Sequence, residues 1–221
     1  MRGSDINIDI TRKCTLKCRH CYNHSGEMNN DELASDELFR IMNDLASTRP
    51  DNFCICGGEP LLKKEIIFRF IDHQKKINSE MNIGMVTNGE LLTESIGEKL
   101  IYYGLNNIQF SIDGATENSH DWLRNKKGLF ENLLHTIMQL NILRRKAKSD
   151  IKISAVCCLN KRNYEELPKI IELCTRLGID ILRVQPLMKM GRAKEGLDAY
   201  SLSKNEYIQA FRVTRLIIYL V

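Results

Sequence analysis

Three cysteines near the N terminus are the residues of this sequence best suited to chemistry. Cys14, Cys18 and Cys21 are separated by three and by two residues, in a polar stretch that follows the alternating apolar residues 6, 8 and 10. Thiolates this close in sequence are typical of a metal or iron–sulfur site. Four cysteines would complete the ligand set of a cluster, whereas three leave one iron of a four-iron cluster free to bind a small molecule.

A structural zinc site is the alternative for the same stretch. His24 lies three residues after Cys21, so the three cysteines and His24 would make a Cys3His set. Thiolate ligands suit both zinc and iron–sulfur clusters, so the loop alone leaves both interpretations open.

Strands and amphipathic helices alternate along the rest of the chain. Six such units predict a parallel sheet with right-handed crossovers. Six units are fewer than the eight that close a full barrel, so we expect an α/β fold, a partial (β/α)6 TIM-like barrel of parallel strands. A doubly wound open sheet would give the same alternation. The predicted strands are residues 6–11, 53–56, 81–87, 107–113, 151–159 and 181–185, and a long loop is expected before Gly128.

Unusual polar and glycine motifs follow each predicted strand. Ligands of parallel sheets bind at the carboxyl ends of the strands, so these motifs should meet at one rim. A zinc loop that served only stability would not need such partners, and the pattern therefore favours a catalytic cluster. The motifs are the three cysteines, Gly57-Gly58-Glu59-Pro60, Asn88-Gly89, Ser111 with Asp113, Asn160, and Gln185-Pro186.

These motifs have specific chemical uses. The pair Gly57-Gly58 would let the backbone approach a ligand, and Glu59 would offer a negative charge to an ammonium group. Ser111 and Asp113 lie two residues apart on a strand and could hold hydroxyl groups together. Arg124 could pair with a carboxylate. The simpler alternatives are a tight turn at the glycines, a turn before Gly114, and a solvated surface arginine.

His20 is a further candidate site residue, whereas the five remaining cysteines are better explained as core residues. His20 either stacks on a ligand ring or covers the cluster. Free cysteine behaves as a small core residue. We therefore expect core positions for Cys54, Cys56, Cys157, Cys158 and Cys174.

Composition sets the broad class. The chain has 221 residues, 43% of them hydrophobic and 27% charged, with a net charge of +4, as in a globular protein without a nucleic-acid-binding patch. No signal peptide or long apolar run is present, so we expect a cytoplasmic protein with reduced cysteines and no membrane partner. We predict a single domain over residues 1–221. Residues 1–5 resemble a tag or leader, and the apolar end at 216–221 suggests truncation before a C-terminal extension.

Several of these motifs together resemble one family. The Cys-x3-Cys-x2-Cys triplet, Gly57-Gly58-Glu59-Pro60, Thr87-Asn88-Gly89 and Ser111-Ile112-Asp113-Gly114 occur in the order found in radical S-adenosylmethionine (SAM) enzymes. The resemblance extends from about Ile6 to the last helix. Segment 186–193 is similar to the branch that modifies ribosomal peptides or matures sulfatases, which usually has a cysteine-rich SPASM or twitch extension. No cysteine follows Cys174 here.

The resemblance implies cofactors and roles. The cysteines would carry a [4Fe-4S] cluster, and SAM bound at its fourth iron would be cleaved reductively to a 5′-deoxyadenosyl radical for hydrogen abstraction. By the same resemblance, Gly57, Gly58 and Glu59 would receive the methionine ammonium, Ser111 and Asp113 would contact ribose or carboxylate, Arg124 would contact the carboxylate, and Gln185 and Leu187 would lie near adenine. Pro60, Asn88 and His20 complete the expected cofactor-binding set.

The family also implies partners. A peptide or protein substrate and an electron donor such as flavodoxin or ferredoxin are expected, and no nucleic acid. Two alternatives stay open at this point: a catalytically silent scaffold of the same fold that binds a partner, and the Cys3His zinc module.

Overall fold

A computed structural model of the chain describes residues 5–27, 31–78 and 80–218, with side chains up to 212. The strands are β1 (Asp5–Asp9), β2 (Asn52–Cys56), β3 (Asn82–Thr87), β4 (Asn107–Ser111), β5 (Lys152–Leu159) and β6 (Ile181–Pro186). The helices are α1 (Ser35–Ala46), α2 (Lys64–Ile77), α3 (Glu94–Tyr103), α4 (Glu117–Arg124), α5 (Leu129–Lys146), α6 (Leu167–Arg176) and α7 (Lys204–Ile218). Short 3₁₀ helices span Pro60–Lys63, Tyr164–Glu166, Gly191–Glu195 and Asp198–Tyr200.

The six strands form one parallel sheet in the order β1-β2-β3-β4-β5-β6. Each strand pairs with its neighbour in sequence, for example with Asp9 opposite Cys56 and Ser111 opposite Val156. A doubly wound sheet would reverse direction at a switch point, and this order has none. The predicted partial (β/α)6 barrel is therefore confirmed, as a curled half-barrel.

The two faces of the half-barrel differ in chemistry because side chains alternate along each strand. The convex face packs against the helices, and its side chains are fully buried: Phe53, Ile55, Ile83, Met85, Ile108, Phe110 and Ile153. On the concave face, Leu123 of α4 packs against Cys158 of β5. Its side chains are more polar and include Cys56, Gln109, Ser111, Val156 and Gln185.

Helix α4 occupies part of the stretch expected to be a long loop, so that expectation is wrong. Thr116 begins the helix by accepting a hydrogen bond from the Ser119 backbone N–H at 3.4 Å, and Asn125 ends it in the left-handed conformation at φ 57°. Its buried face carries Ser119, His120, Asp121 and Arg124 as well as Leu123. A helix with a polar buried face gives no apolar periodicity to detect.

The ends of the chain complete the comparison with the sequence predictions. Residues 1–4 of the expected leader and residues 219–221 of the apolar end lie outside the described residues, while Asp5 already belongs to β1. Among the described residues, no helix combines the length and apolar character needed to span a membrane.

Candidate functional site

One cavity lies at the carboxyl ends of the strands, and we call it the rim cavity. It is lined by residues at the ends of, or after, β1 to β4 and β6, and by Val156 and Cys158 near the end of β5. Asn160, the motif after the fifth strand, does not line it. The predicted site residues among them are Cys14, Cys18, His20, Cys21, Gly57, Gly58, Asn88, Ser111, Asp113, Arg124 and Gln185. Three other predicted residues, Glu59, Pro60 and Leu187, are buried and do not line it.

The three cysteines lie in the cysteine loop, residues 11–27, which follows β1. Each sulfur accepts a hydrogen bond from the protein. The Leu16 backbone N–H donates to Cys14 at 3.4 Å, and that of Ser25 donates to Cys21 at 3.2 Å. The Arg124 guanidinium donates to Cys18 at 3.8 Å. Donors directed at sulfur stabilise thiolate ligands and tune the metal that they hold.

Burial changes the acidity of these thiols. It raises the pKa of Cys14 to about 11 and also raises the pKa of Cys18. The free thiols of Cys14 and Cys18 therefore hold their protons at neutral pH, and a metal must displace those protons to bind.

The arrangement does not suit a single zinc ion. Among the described residues, no three His, Cys, Asp or Glu side chains are grouped closely enough to hold one metal ion. His24, the fourth ligand of the zinc alternative, does not line the rim cavity, and its Nε2 lies 3.4 Å from the Glu195 carboxylate. Thiols distributed around a cavity fit a polynuclear cluster better, because its irons are spread over a larger volume.

The glycine loop, Gly57–Pro60, lies directly against the cysteine loop. The backbone N–H of Gly58 donates to the Thr11 carbonyl at 2.7 Å, and that of Glu59 donates to the Lys13 carbonyl at 2.9 Å. A Cβ on Gly57 would lie 2.5 Å from the Thr11 oxygen, and one on Gly58 would lie 2.2 Å from the Lys13 oxygen. The glycines are thus needed for contact between two loops, in addition to lining the cavity.

Glu59 has three hydrogen-bond donors within the protein. Its side chain is fully buried, and its carboxylate accepts hydrogen bonds from the Leu61 N–H at 3.0 Å, the Thr87 hydroxyl at 2.9 Å and the Asn88 N–H at 2.9 Å. Burial raises its pKa to about 6, and these donors oppose the rise. The carboxylate therefore joins the glycine loop to the end of β3. Its contact with an ammonium group stays a prediction.

Pro60 and Leu187, the two other predicted site residues that are buried, contact neighbouring protein residues and not the cavity. Pro60 begins the 3₁₀ helix Pro60–Lys63. Leu187 packs in a small apolar cluster with Leu123, Cys158 and Ala193, and its N–H donates to the Leu159 carbonyl at 3.1 Å. Neither side chain reaches the rim cavity, since both are covered by neighbouring residues.

Asp113 and Arg124 form a buried ion pair at the cavity wall. Arg124 Nη2 lies 2.5 Å from Asp113 Oδ2, and Asp113 Oδ1 accepts a hydrogen bond from the Cys158 N–H at 2.7 Å. Burial alone would raise the pKa of Asp113, but the charge of Arg124 outweighs burial and the pKa is lowered. Burial lowers the pKa of His20 to about 4 and that of His120 to about 3, so both imidazoles are neutral at pH 7.

Two buried donors at this site have no hydrogen-bond partner within the described residues. They are Arg124 Nε and Arg192 Nη2, and both residues line the rim cavity. The His20 imidazole also lines the cavity, where its uncharged ring can donate one hydrogen bond and accept another. Buried polar atoms of folded proteins are normally paired, so unpaired ones at a cavity indicate a polar ligand. Two guanidinium groups and an imidazole are well suited to a ligand that carries a carboxylate and hydroxyl groups.

Arg192, Tyr22 and Cys56 also line the cavity and were not predicted as site residues. Arg192 Nε donates to the Cys18 carbonyl at 2.7 Å, and its backbone N–H donates to the Cys21 carbonyl at 2.9 Å. The preceding Gly191 has φ 53°, and a Cβ there would lie 2.2 Å from the Cys21 oxygen. The Gly-Arg pair after the sixth strand was the available signal for Arg192.

The chain is similar in sequence to a known family over most of its length. The sequence model of the Radical SAM superfamily matches residues 8–174, which is most of the chain. The chain belongs to the radical SAM superfamily. A [4Fe-4S] cluster and SAM are the cofactors of this family. The three hydrogen-bonded thiols and the unpaired donors of the rim cavity fit these two groups.

Individual relatives are similar over the same region. The sporulation killing factor maturation protein SkfB of Bacillus subtilis (strain 168) is 29% identical over 91% of this chain and 47% of its own length. The AdoMet-dependent heme synthase of Methanosarcina barkeri is 32% identical over 86% of this chain and 52% of its own length. This radical SAM chain therefore spans about half the length of the curated relatives that it matches.

Solved structures share the fold. Streptococcus suis SuiB bound to its precursor peptide SuiA matches with a TM-score of 0.72 at 17% identity, over 96% of this chain and 47% of SuiB. SuiB bound to S-adenosylmethionine matches with a TM-score of 0.71. At this identity the likeness shows a common radical SAM fold.

Gly58→Ala should separate the two loops. The added Cβ would overlap the Lys13 carbonyl, and backbone atoms on both sides can relieve the overlap only by moving apart. We expect the free energy of unfolding to fall by about 3 kcal/mol, measured by urea denaturation. Gly196→Ala is the matched control, because no atom lies within 4 Å of its Cβ position. Equal stability of the two variants would contradict the loop contact.

Glu59→Gln should destabilise the fold through hydrogen bonding. The amide has one acceptor oxygen, so its NH2 group must face a buried protein donor that the carboxylate now satisfies. We expect a loss of about 1–3 kcal/mol of unfolding free energy, measured by urea denaturation. The exposed Glu98→Gln on α3 serves as the control. A Glu59 variant as stable as that control would disprove the three-donor arrangement.

Proposed function

We propose that this chain is the core of a radical SAM enzyme that acts on a peptide or protein. Bound together, a [4Fe-4S] cluster on Cys14, Cys18 and Cys21 and SAM would supply reductive cleavage to a 5′-deoxyadenosyl radical, which abstracts hydrogen from the substrate. The observation that carries the proposal is that three hydrogen-bonded thiols share one cavity with unpaired buried donors. The match to the family model over residues 8–174 supports it.

The protein's own groups would orient SAM in this cavity. Gly57 and Gly58 bring main-chain polar groups to the wall of the cavity, where an ammonium group would be received. Arg124 and Ser111 lie on the wall formed after β4 and are suited to the carboxylate. Asp113 keeps the Arg124 side chain in position through their ion pair. Gln185, at the end of β6, is suited to the adenine or ribose.

The open concave face supports a polypeptide substrate. Tyr22 and Met188 line the rim cavity and are 47% and 52% exposed, so apolar surface is available at its mouth. SkfB matures a killing factor, and SuiB has been crystallised with a precursor peptide. We therefore propose a peptide substrate for this chain as well.

The surface of the cysteine loop supports an acidic electron donor. Arg12, Lys13, Lys17 and Arg19 are all exposed on this loop, next to the cluster ligands. A basic surface attracts an acidic partner and accelerates its association. We propose that a flavodoxin or a ferredoxin delivers the electron at this surface.

Cys18→Ala should prevent cluster assembly, because two thiolates cannot anchor a four-iron cluster. After anaerobic reconstitution with iron and sulfide, we expect about four irons per chain in the parent protein and close to none in the variant. The buried Cys174→Ala on α6, outside the cavity, should retain the parent's iron content. Retention of the cluster in Cys18→Ala, or formation of a cluster without release of 5′-deoxyadenosine under reduction, would overturn the proposed enzyme.

Arg124→Lys should weaken SAM binding while the charge facing Asp113 is kept. Lysine loses the paired donors of the guanidinium, and a charge-assisted hydrogen bond contributes about 1.5–3 kcal/mol. We expect the dissociation constant to rise about tenfold to a hundredfold, measured by calorimetry on the reconstituted protein. Arg69→Lys, at an exposed ion pair with Asp36, should leave it unchanged. Equal affinity of both variants would remove Arg124 from the SAM site.

A further inference from the structure

Two thiols on β2, Cys54 and Cys56, are predicted from the sequence to be core residues, but the structure leaves both partly exposed. Cys157, Cys158 and Cys174 are buried as expected, but Cys54 and Cys56 are only partly buried. They are two residues apart on one strand and so lie on the same face of the sheet, opposite to the fully buried Phe53 and Ile55. This is the concave face, and Cys56 lines the rim cavity.

The two sulfurs form a pair that is separate from the cluster ligands. Their Sγ atoms are 3.5 Å apart, close enough for one thiol to donate a hydrogen bond to the other. Cys56 directly precedes Gly57. Cys54 lies two residues earlier on β2, farther from the carboxyl end of the strand, and it pairs with Gly84 on β3, which has no side chain. None of the roles in the proposed function uses this pair.

We propose that Cys56, with Cys54 as its partner, donates a hydrogen atom to the carbon radical formed on the substrate. The proposal rests on the proposed function. In the step, the substrate radical C• and the Cys56 thiol S–H give a C–H bond and a Cys56 thiyl radical. A low-molecular-weight thiol then gives one hydrogen atom to the Cys56 thiyl radical, which restores the Cys56 thiol and leaves a thiyl radical on the small thiol. Two such small-thiol radicals combine to a disulfide.

The chemistry of the groups at the cavity favours a thiol for this step. The S–H bond is weaker than the C–H bonds of peptide side chains and similar in strength to a peptide Cα–H bond, so transfer of hydrogen from sulfur to carbon is favourable or close to energetically neutral. The thiol must also be protonated. The hydrogen bond with Cys54, followed by burial, raises the pKa of Cys56, so it keeps its proton at neutral pH.

Two other cavity residues with exchangeable hydrogens are less suitable. Cys158 is 4% exposed and packs against Leu187 and Leu123. The Tyr22 hydroxyl lies 3.1 Å from both carboxylate oxygens of Asp9 and donates to that group. Cys56 combines a position on the cavity wall with a second thiol in contact, and neither alternative has both.

The proposal narrows the class of reaction. A hydrogen atom delivered from the protein replaces the one that was abstracted, so the product has a new C–H bond at the same carbon. Inversion of configuration at a peptide carbon, or reduction of an unsaturated one, fits this outcome. Formation of a cross-link does not, because it ends with loss of hydrogen from the substrate.

Deuterium transfer tests the proposal without knowledge of the substrate. When no substrate is present, the 5′-deoxyadenosyl radical takes hydrogen from the nearest donor, and in D2O a thiol carries deuterium. The reconstituted protein is incubated in D2O with SAM and titanium(III) citrate, without added thiol. The 5′-deoxyadenosine is then quantified, and its deuterium content is measured by mass spectrometry.

We expect most of the 5′-deoxyadenosine from the parent protein to contain one deuterium, and this fraction to fall at least fivefold in Cys56→Ser. Cys56→Ala is run in parallel, and the iron content of both variants reports their folding. Cys174→Ser, at a buried thiol outside the cavity, should leave the deuterium fraction unchanged.

The other outcomes overturn the proposal in distinguishable ways. An unchanged deuterium fraction in both Cys56 variants would exclude Cys56 while 5′-deoxyadenosine still forms. If the deuterium fraction falls instead in Cys158→Ser or Tyr22→Phe, that residue and not Cys56 is the hydrogen-atom donor. No 5′-deoxyadenosine from the parent protein would overturn the proposed function, and this inference with it.

Discussion

The contact between the cysteine loop and the glycine loop is the constraint on which the site depends. Two backbone hydrogen bonds of 2.7 and 2.9 Å join them, and the glycine positions leave no room for a Cβ. Glu59 extends the connection to β3 through the Asn88 N–H, and the Asn88 side chain in turn lies 3.8 Å from the Cys14 sulfur. The segment at Gly191 and Arg192 contacts the cysteine loop at Cys21. The positions of the thiols are thus set by backbone contacts with the loops after β2 and β6.

A second constraint is the burial of the sheet on one side. The helices pack on the convex face, where large apolar side chains are fully buried. Six strands curl without closing, and the concave face is left with thiols, amides and small side chains. Hydrophobic burial on one face stabilises the fold, and the other face is free to hold ligands. This division separates Cys54 and Cys56 from Cys157, which faces the main core. Cys158 shares the concave face with them but is buried there by Leu123 and Leu187.

The sequence predicts the fold well where periodicity is strong and less well where polar groups are buried. All six strands follow the alternation of apolar residues, and the structure has them in the predicted order. Helix α4 was missed because its buried face carries Asp121 and Arg124. The convergence of motifs after the strands follows from parallel topology alone. The role of Glu59 could not be deduced, since a sequence does not reveal which donors surround a carboxylate, and the exposure of Cys54 depends on which face the helices leave open.

The central claim is that SAM binds directly to an iron left open by three cysteine ligands. Electron paramagnetic resonance of the reconstituted, dithionite-reduced protein tests it most directly, with spectra recorded before and after addition of SAM. The account predicts the signal of a reduced [4Fe-4S] cluster whose g values shift when SAM is added. A cluster signal that SAM leaves unchanged, or a protein that takes up zinc and no iron, would contradict it.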